Sequence, residues 1–148
     1  MPLDRFSGTS RLGAPTAEVF DFLMEPHSYI ELAPLIVAVR DIRRDGDSIR
    51  YVSVERFRLG PLHWDNPIEV TMTPTVPGHT LRSSVTSPGG VRLVATLNLA
   101  DAVGGGSEAT ETIELRSPRF LHSFVLRKAR EGQEGRLAAL AARFPVSS

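Results

Sequence analysis

Cysteine is absent from this 148-residue sequence, and several other residue types are scarce. Without cysteine the chain has no disulfide, no thiolate nucleophile and no cysteine-liganded metal site. It also lacks any run approaching the roughly 20 apolar residues that span a membrane, and its first residues lack the charged-then-apolar order of a signal peptide. We therefore expect a cytoplasmic protein without integral membrane contact.

Lysine is scarce as well, since Lys128 is the only one and the other sixteen basic residues are arginines. This bias is typical of a GC-rich genome, although arginine also suits bidentate contacts to phosphate or carboxylate. The 17 basic and 17 acidic side chains leave a net charge of zero. A balanced chain has no field that recruits nucleic acid, so no nucleic-acid partner is predicted.

The residues that are present have ordinary proportions, with 41% hydrophobic and 23% charged. These values are typical of a folded globular protein rather than a disordered one. A chain of this length buries about 70% of the surface that its unfolded form exposes. We predict a single domain over residues 1–148 with one core.

Hydrophobic periodicity predicts an α+β fold. A helical stripe begins near Thr16 and ends before Pro26, and residues 27–32 fit one further helical turn. The predicted strands are 4–13, 35–44, 49–59, 64–72, 80–87, 91–100 and 107–115. Short connections between the later strands favour successive antiparallel hairpins, because a parallel pair needs a long crossover.

The C-terminal segment predicts one long helix. Ser117 suits its N-cap and Pro118 its first helical position, and the residues from there to Phe144 are rich in alanine, arginine and leucine. The apolar stripe is broken, because apolar residues near the start and those near the end point to nearly opposite sides at about 100° per residue. Gly132 and Gly135 lie between the two groups.

Two interpretations of the broken stripe stay open. Either the helix bends at the glycines, or its first turns face something other than the core that the last turns contact. In both interpretations Phe120 and Phe124 occupy a special position, and we interpret them as the lip of a pocket.

The order of predicted elements, together with the segment RLGAPTAEVFDFLMEPHSY at residues 11–29, resembles the START/Bet v 1-like superfamily. Its members include polyketide cyclases, lipid carriers and coenzyme Q-binding proteins. The resemblance implies a helix-grip fold, in which a seven-stranded curved antiparallel sheet wraps around the long C-terminal helix, with two short helices between strands 1 and 2. It also implies a deep cavity between sheet and helix, whose lining differs between members.

We predict a cavity lining that is mostly apolar, with a few polar groups that fix orientation. The candidates are Tyr51, Trp64, Ile68, Val70, Met72, Leu81, Ser83, Val85, Leu93, Ala95, Leu97, Phe120, Phe124 and Val125. Tyr51 belongs to this set only if its face of the third strand is the inner one. The face that carries Val52 and Val54 is an equal alternative.

Few ionisable residues are candidates for catalysis. Glu55 and Glu111 can act as general acids or bases if burial raises their pKa. His122 lies in the first turns of the terminal helix, where an imidazole can transfer protons near neutral pH. The four histidines show no metal-ligand spacing, and no Gly-x-Ser-x-Gly elbow is present. We predict no metal and no cofactor.

Three functions remain as hypotheses. The first is non-catalytic or weakly catalytic binding of a hydrophobic small molecule, such as a lipid, a quinone or a polyketide-like aromatic. The second is a cyclase or dehydratase that uses Glu55, Glu111 or His122 for proton transfer. The third is a protein-interaction module with an exposed apolar lip. In each case we expect a monomer or a homodimer.

Overall fold

The computed structural model describes residues 1–147, without the side chain of Leu59. The elements are β1 (Leu3–Leu12), α1 (Thr16–Leu23), α2 (Ser28–Leu32), β2 (Ile36–Asp45), β3 (Ser48–Leu59), β4 (Leu62–Val76), β5 (Thr80–Ser87), β6 (Val91–Asp101), β7 (Ser107–Arg116) and α3 (His122–Arg143). The strands form one antiparallel sheet in the order β1-β7-β6-β5-β4-β3-β2. The predicted α+β architecture is confirmed, including the hairpin order and the two short helices between β1 and β2. Within residues 1–147, no helix combines the length and the apolar character needed to cross a membrane.

Side-chain alternation separates an inner face of the sheet from an outer one. On β7 the side chains of Ser107, Ala109, Glu111, Ile113 and Leu115 are buried, while the residues between them are half-buried or exposed. Successive side chains of a strand point to opposite faces, so the buried set marks the inner face.

The inner face of β3 carries Ile49, Tyr51 and Ser53, all of them buried. Val52 and Val54 point to the opposite face and are half-buried. Of the two alternatives that the sequence leaves open, the structure therefore has the Tyr51 face inside.

Strand β4 projects beyond its neighbour β5. It pairs with β3 from its first residue, whereas its pairing with β5 begins only at Glu69. Residues 62–68 therefore pair on one side only, and Pro67, which has no N–H to donate, lies in this stretch. The projecting part of β3 and β4 is a hairpin in which the rings of Phe57 and Trp64 stack with centroids 5.7 Å apart.

Helix α3 begins at His122 rather than at the predicted Ser117 and Pro118. The Oγ of Ser117 lies 2.5 Å from Nδ1 of His122, and Nε2 of His122 lies 2.6 Å from a carboxylate oxygen of Asp4. Ser117 therefore contacts a side chain instead of capping a helical N–H, and residues 118–121 form a turn. These contacts tie the start of β1 to the start of α3.

The inner stripe of α3 is continuous, which corrects the prediction of a broken one. His122, Gln133, Leu137 and Leu140 are buried, and residues 125–129 contribute partly buried apolar side chains. Their spacing of three or four residues keeps them on one side of the helix. The predicted break came from counting only apolar residues, whereas the middle of the stripe is a glutamine. The first turns do contact a different apolar cluster from the one that contains Leu140 and Phe144, as the second interpretation expected. The helix runs unbroken through both of its glycines.

Helix α3 lies along β1, with further contacts to β7 and α2. Its C-terminal end closes one end of the domain, where the carbonyl of Phe144 accepts a hydrogen bond from the N–H of Gly13 at 2.8 Å. The ring of Phe144 also meets Phe22 edge-on, with centroids 5.4 Å apart. The concave face of β4 and β5 has no comparable cover from this helix.

Candidate functional site

A buried ion pair joins α3 to the middle of the sheet. Arg136 donates to the carboxylate of Glu111 through Nε at 3.2 Å and through Nη2 to the other oxygen. Gln133, one turn earlier, donates to the main-chain oxygen of Glu111 at 3.0 Å. Burial acts to lower the pKa of Arg136, but the charge and hydrogen bonds of Glu111 outweigh it and raise that pKa. The fork-to-fork geometry fixes the helix against β7.

Two stacked tyrosines lie near this ion pair. Tyr29 of α2 and Tyr51 of β3 have ring centroids 6.5 Å apart, and the hydroxyl of Tyr29 donates to the main-chain oxygen of Leu23 at 2.8 Å. Burial raises the pKa of both hydroxyls, with the charge of Arg136 acting in the opposite direction. Both hydroxyls are therefore protonated at neutral pH and can donate hydrogen bonds.

A second polar group lies nearer the projecting hairpin and consists of Glu55, Asn66 and Ser87. The Nδ2 of Asn66 donates to Oγ of Ser87 at 3.2 Å and to Oε1 of Glu55 at 3.4 Å. Burial raises the pKa of Glu55, and the hydrogen bond from Asn66 acts in the opposite direction. A half-buried carboxyl with a raised pKa is suited to general acid–base chemistry.

Ser53 lies between these two polar groups on the inner face of β3, two residues from both Tyr51 and Glu55. It is 1% exposed. Its Oγ has no hydrogen-bond partner among the described residues. Buried hydroxyl groups in folded proteins nearly always have a partner, so this one requires an explanation.

The predicted lining residues fall into three groups by exposure. The buried ones are Tyr51, Val70, Met72, Leu81, Ala95 and Leu97. The exposed ones are Trp64, Phe120 and Phe124. The half-buried ones are Ile68, Ser83, Val85, Leu93 and Val125. Each residue of this last group lies on the inner face of the sheet or on the inner side of α3 and is still partly reached by solvent. We call the surface that these five side chains form the trough.

Phe120 and Phe124 lie apart from the trough. Phe120 is 86% exposed and precedes α3, and Phe124 lies on the side of α3 opposite its inner stripe. The charged groups of Arg127 and Lys128 lie 5.6 Å and 5.8 Å from the ring centroid of Phe124. Both phenylalanines were predicted at a pocket lip because the apolar pattern of the C-terminal helix indicated a broken stripe, which α3 does not have.

Of the ionisable candidates, Glu55 is the one whose polar group borders the trough. Glu111 is held by Arg136. His122 is buried at the start of α3. Together with Ser117 and Asp4 it has the residue types of a catalytic triad, but the resemblance ends there. Ser117 is fully buried and contacts Nδ1, so no substrate reaches its hydroxyl.

Arg136, Gln133 and Asn66 were not predicted as site residues, although the sequence contains a signal for each. Gln133 and Arg136 precede Leu137 and Leu140 by one turn, so helical periodicity places them on the inner side of α3. Asn66 alternates with apolar residues on the inner face of β4. They were passed over because polar residues do not contribute to a hydrophobic pattern.

Two clefts lie outside the predicted site. One of about 390 Å³ lies between β1 and α3 and includes Gly8, Ser10, Gln133 and Leu137 in its lining. The other, of about 330 Å³, lies on the outer face of the sheet around Thr96. Neither is lined by a residue of the predicted cavity.

Comparison with known proteins gives matches in structure and none in sequence. No protein-family model matches the chain, and neither does any curated protein. The Zhui aromatase/cyclase from Streptomyces sp. R1128 superposes with a TM-score of 0.80 at 11% identity, over 96% of this chain and 93% of that one. A START superfamily protein from Mycobacterium smegmatis has a TM-score of 0.75 at 11% identity, over 95% of this chain and 96% of that one.

A third similar structure is the di-domain ARO/CYC protein BexL from the BE-7585A biosynthetic pathway. It has a TM-score of 0.75 at 15% identity, and the match covers 99% of this chain and 51% of BexL. The chain therefore spans about half the length of that protein. At these identities the three likenesses establish a common fold.

Proposed function

We propose that this chain, whose fold is START/Bet v 1-like, binds a hydrophobic small molecule in the trough between the sheet and α3. The ligand classes are those expected from the sequence: a lipid, a quinone or a polyketide-like aromatic. The observation that carries the proposal is the set of half-buried apolar side chains on a concave face, with the polar group of Glu55 beside them. Concave apolar surfaces with a few placed polar groups are typical of ligand sites.

The energetic support comes from the apolar area that a ligand would cover. Ile68, Val85, Leu93 and Val125 are only half-buried although they lie on the inner side of the domain. Covering apolar surface contributes about 25 cal/mol per Å² to binding, before the costs of association are subtracted. Shape therefore provides affinity, and the polar groups provide orientation.

The first experiment on this proposal is native mass spectrometry of the purified protein, followed by extraction and identification of any retained molecule. A co-purifying lipid, quinone or aromatic molecule supports the proposal and identifies candidate ligands. If no small molecule is retained, binding of the neutral dye Nile red is measured directly by fluorescence. Absence of saturable binding by both methods contradicts the proposal.

We expect Val85→Trp to weaken Nile red binding at least tenfold, because an indole on the inner face of β5 fills the trough. Thr86→Trp is the matched control, since Thr86 is the next residue and points to the exposed outer face. It is expected to leave the affinity within about twofold of the wild type, as is usual for surface substitutions away from a site. Equal affinities in the two variants would place the dye elsewhere. Circular dichroism checks that both variants are folded.

A second candidate function is a cyclase or dehydratase, and Glu55 supports it. Its carboxyl borders the trough, and Asn66 holds it while burial raises its pKa. Such a carboxyl can deliver a proton to a carbonyl oxygen or remove one from an adjacent carbon. Two of the similar structures are named as aromatase/cyclases, which agrees with this candidate in fold.

We expect Glu55→Gln to stabilise the protein increasingly as pH rises. A carboxyl with a raised pKa in the folded state binds protons more tightly there than in the unfolded chain. Its contribution to stability is therefore complete at low pH and is lost as pH rises through the folded-state pKa. Glutamine stays neutral and avoids this loss.

The measurement is urea unfolding of the wild type and Glu55→Gln at a series of pH values from about 4 to 8, a range that starts near the ordinary glutamate pKa. Glu69→Gln, on the exposed outer face of β4, reports the background effect of removing one negative charge. A stability difference between wild type and Glu55→Gln that stays constant with pH after this correction would remove Glu55 as a proton carrier.

Cytoplasmic location and a monomeric or homodimeric state remain predictions from the sequence.

A further inference from the structure

The inner face of the projecting hairpin carries an aromatic pair outside the trough. Phe57 and Trp64 are direct partners in the register of β3 and β4, and their rings stack with centroids 5.7 Å apart. Such cross-strand pairs stabilise a hairpin. The pair is only partly covered, however, since Trp64 is 52% exposed and Phe57 is half-buried. Much of the indole surface is therefore free to contact another molecule.

The polar group of Glu55, Asn66 and Ser87 lies between this aromatic pair and the trough. Trp64, Asn66 and Ile68 follow one another at intervals of two residues on the inner face of β4, and no register shift interrupts its pairing with β3. The distance from Trp64 to Ile68 along the strand is roughly 13 Å. Solvent reaches all three side chains, so one small molecule can contact the indole, the polar group and the trough together.

The polar group has free hydrogen-bond acceptors. The Nδ2 of Asn66 donates its two hydrogens to Ser87 at 3.2 Å and to Oε1 of Glu55 at 3.4 Å. Among the described residues, no group donates to Oδ1 of Asn66 or to Oε2 of Glu55. An amide oxygen and a carboxylate oxygen both accept hydrogen bonds. A ligand that donates one therefore suits this group.

The charge on this group is that of Glu55. The next residue along β3, Arg56, points to the outer face, where both carboxylate oxygens of Asp65 hold it at 2.8 Å and 3.1 Å. An anionic ligand would lie beside the Glu55 carboxyl without this guanidinium to pair with it. Placing an unpaired anion there is costly, so the ligand is expected to be neutral.

We infer that the site takes a neutral phenol with an apolar substituent. The phenol ring stacks on Trp64, and its hydroxyl donates to Asn66 or Glu55. The substituent extends over Ile68 into the trough. The inference rests on the proposed function and narrows its ligand classes, because a quinone has no O–H to donate, an aliphatic lipid has no ring, and a fatty acid brings a negative charge towards Glu55.

Three compounds of similar length test the ring and the hydroxyl separately. They are 4-pentylphenol, trans-4-pentylcyclohexanol, which is not aromatic, and 4-pentylanisole, whose oxygen cannot donate a hydrogen bond. Titration calorimetry measures their dissociation constants for the wild type, Trp64→Leu and His63→Leu. His63 is exposed on the outer face of the same hairpin, so its variant is the matched control. Circular dichroism checks that both variants are folded.

We expect the wild type to bind the phenol about two- to tenfold more tightly than the cyclohexanol, the effect of one aromatic pair. It should also prefer the phenol to the anisole about two- to tenfold, the effect of one neutral hydrogen bond. Trp64→Leu should abolish the preference for the phenol over the cyclohexanol and keep the preference over the anisole. His63→Leu should keep both preferences.

The fluorescence of the wild type gives a test that needs no variant, because Trp64 is the only tryptophan in the chain. Excitation beyond the absorption of phenol and tyrosine selects its indole. Binding of the phenol should quench or shift this emission with the dissociation constant that calorimetry gives. Phenol binding without any change in emission would place the ring elsewhere and overturn the inference.

Other results would overturn the inference in separate ways. If Trp64→Leu leaves the preference for the phenol over the cyclohexanol unchanged, the ring does not stack on Trp64. Equal binding of the phenol and the anisole would show that the hydroxyl does not donate, and the phenol class would be wrong. If none of the three compounds binds the wild type while Nile red does, the inference fails and the proposed function stands. If Nile red does not bind either, both fail.

Discussion

Glu111→Ala is expected to lower the free energy of unfolding by about 3 kcal/mol. Removing one partner of a buried ion pair leaves the other charge uncompensated, which costs about 3–5 kcal/mol in proteins. Glu111 is 6% exposed and Arg136 is 22% exposed, so the stranded guanidinium recovers part of its hydration and the lower end of the range applies. Gln133 also loses a side-chain acceptor. Urea unfolding at neutral pH measures the change.

Two controls separate charge burial from simple loss of a side chain. Glu114 lies on the same strand but on the exposed face, 3.8 Å from Arg5, and Glu114→Ala should cost less than about 1 kcal/mol. The double variant Glu111→Leu with Arg136→Met replaces both charges by apolar groups and should recover most of the lost stability. If Glu111→Ala costs no more than Glu114→Ala, the ion pair does not hold α3 against the sheet. Nile red binding in the double variant then shows whether the pair also shapes the trough.

Gly13→Ala is expected to lower the free energy of unfolding by about 3 kcal/mol, and the melting temperature by about 6–12 °C. A Cβ at this position would lie 2.0 Å from the main-chain oxygen of Pro145. Backbone cannot rotate away as a side chain does, so the C-terminal segment has to move and the hydrogen bond from Gly13 to Phe144 is lost. Overpacking usually costs about 1–3 kcal/mol, and a main-chain clash belongs at the upper end.

The matched control is Gly135→Ala, inside α3. A Cβ at Gly135 meets no described atom within 4 Å. Alanine favours the helix by about 0.5–1 kcal/mol over glycine, so this variant should melt at a higher temperature than the wild type. Scanning calorimetry on both variants gives the comparison. A melting temperature for Gly13→Ala equal to that of the wild type would mean that Pro145 does not pack against Gly13 in solution.

The predicted elements match the observed ones closely because their signals are local. Alternating side chains in β5, β6 and β7 define their faces within eight to eleven residues each. Glycine-containing turns specify hairpins in the same local way. The start of α3 was misplaced because Ser117 is a good N-cap by type, yet in the fold its hydroxyl contacts His122. Residue type alone does not distinguish the two roles.

The face on which each candidate site residue lies was predicted in part, while the site itself stays a proposal. The inner-face positions on β4, β5 and β6 follow from alternation, so Ile68, Val85 and Leu93 were found. Phe120 and Phe124 were chosen for their apolar character, although they lie away from the inner stripe of α3. Arg136 and Gln133 were passed over for the opposite reason, since a hydrophobic pattern contains no information about polar residues that pair across the fold.

The sequence by itself determined the order, type and approximate limits of the strands and helices, because each depends on contacts between residues close along the chain. Only the tertiary structure decided which polar groups meet. Glu111 and Arg136 are 25 residues apart, and Asp4 and His122 are 118 apart, yet each pair is in contact. Among the described residues, the structure also leaves the Oγ of Ser53 without a hydrogen-bond partner, and this depends on every side chain that packs around it. Hydrogen bonds and ion pairs act over a few ångströms in space, so distance along the chain does not predict them.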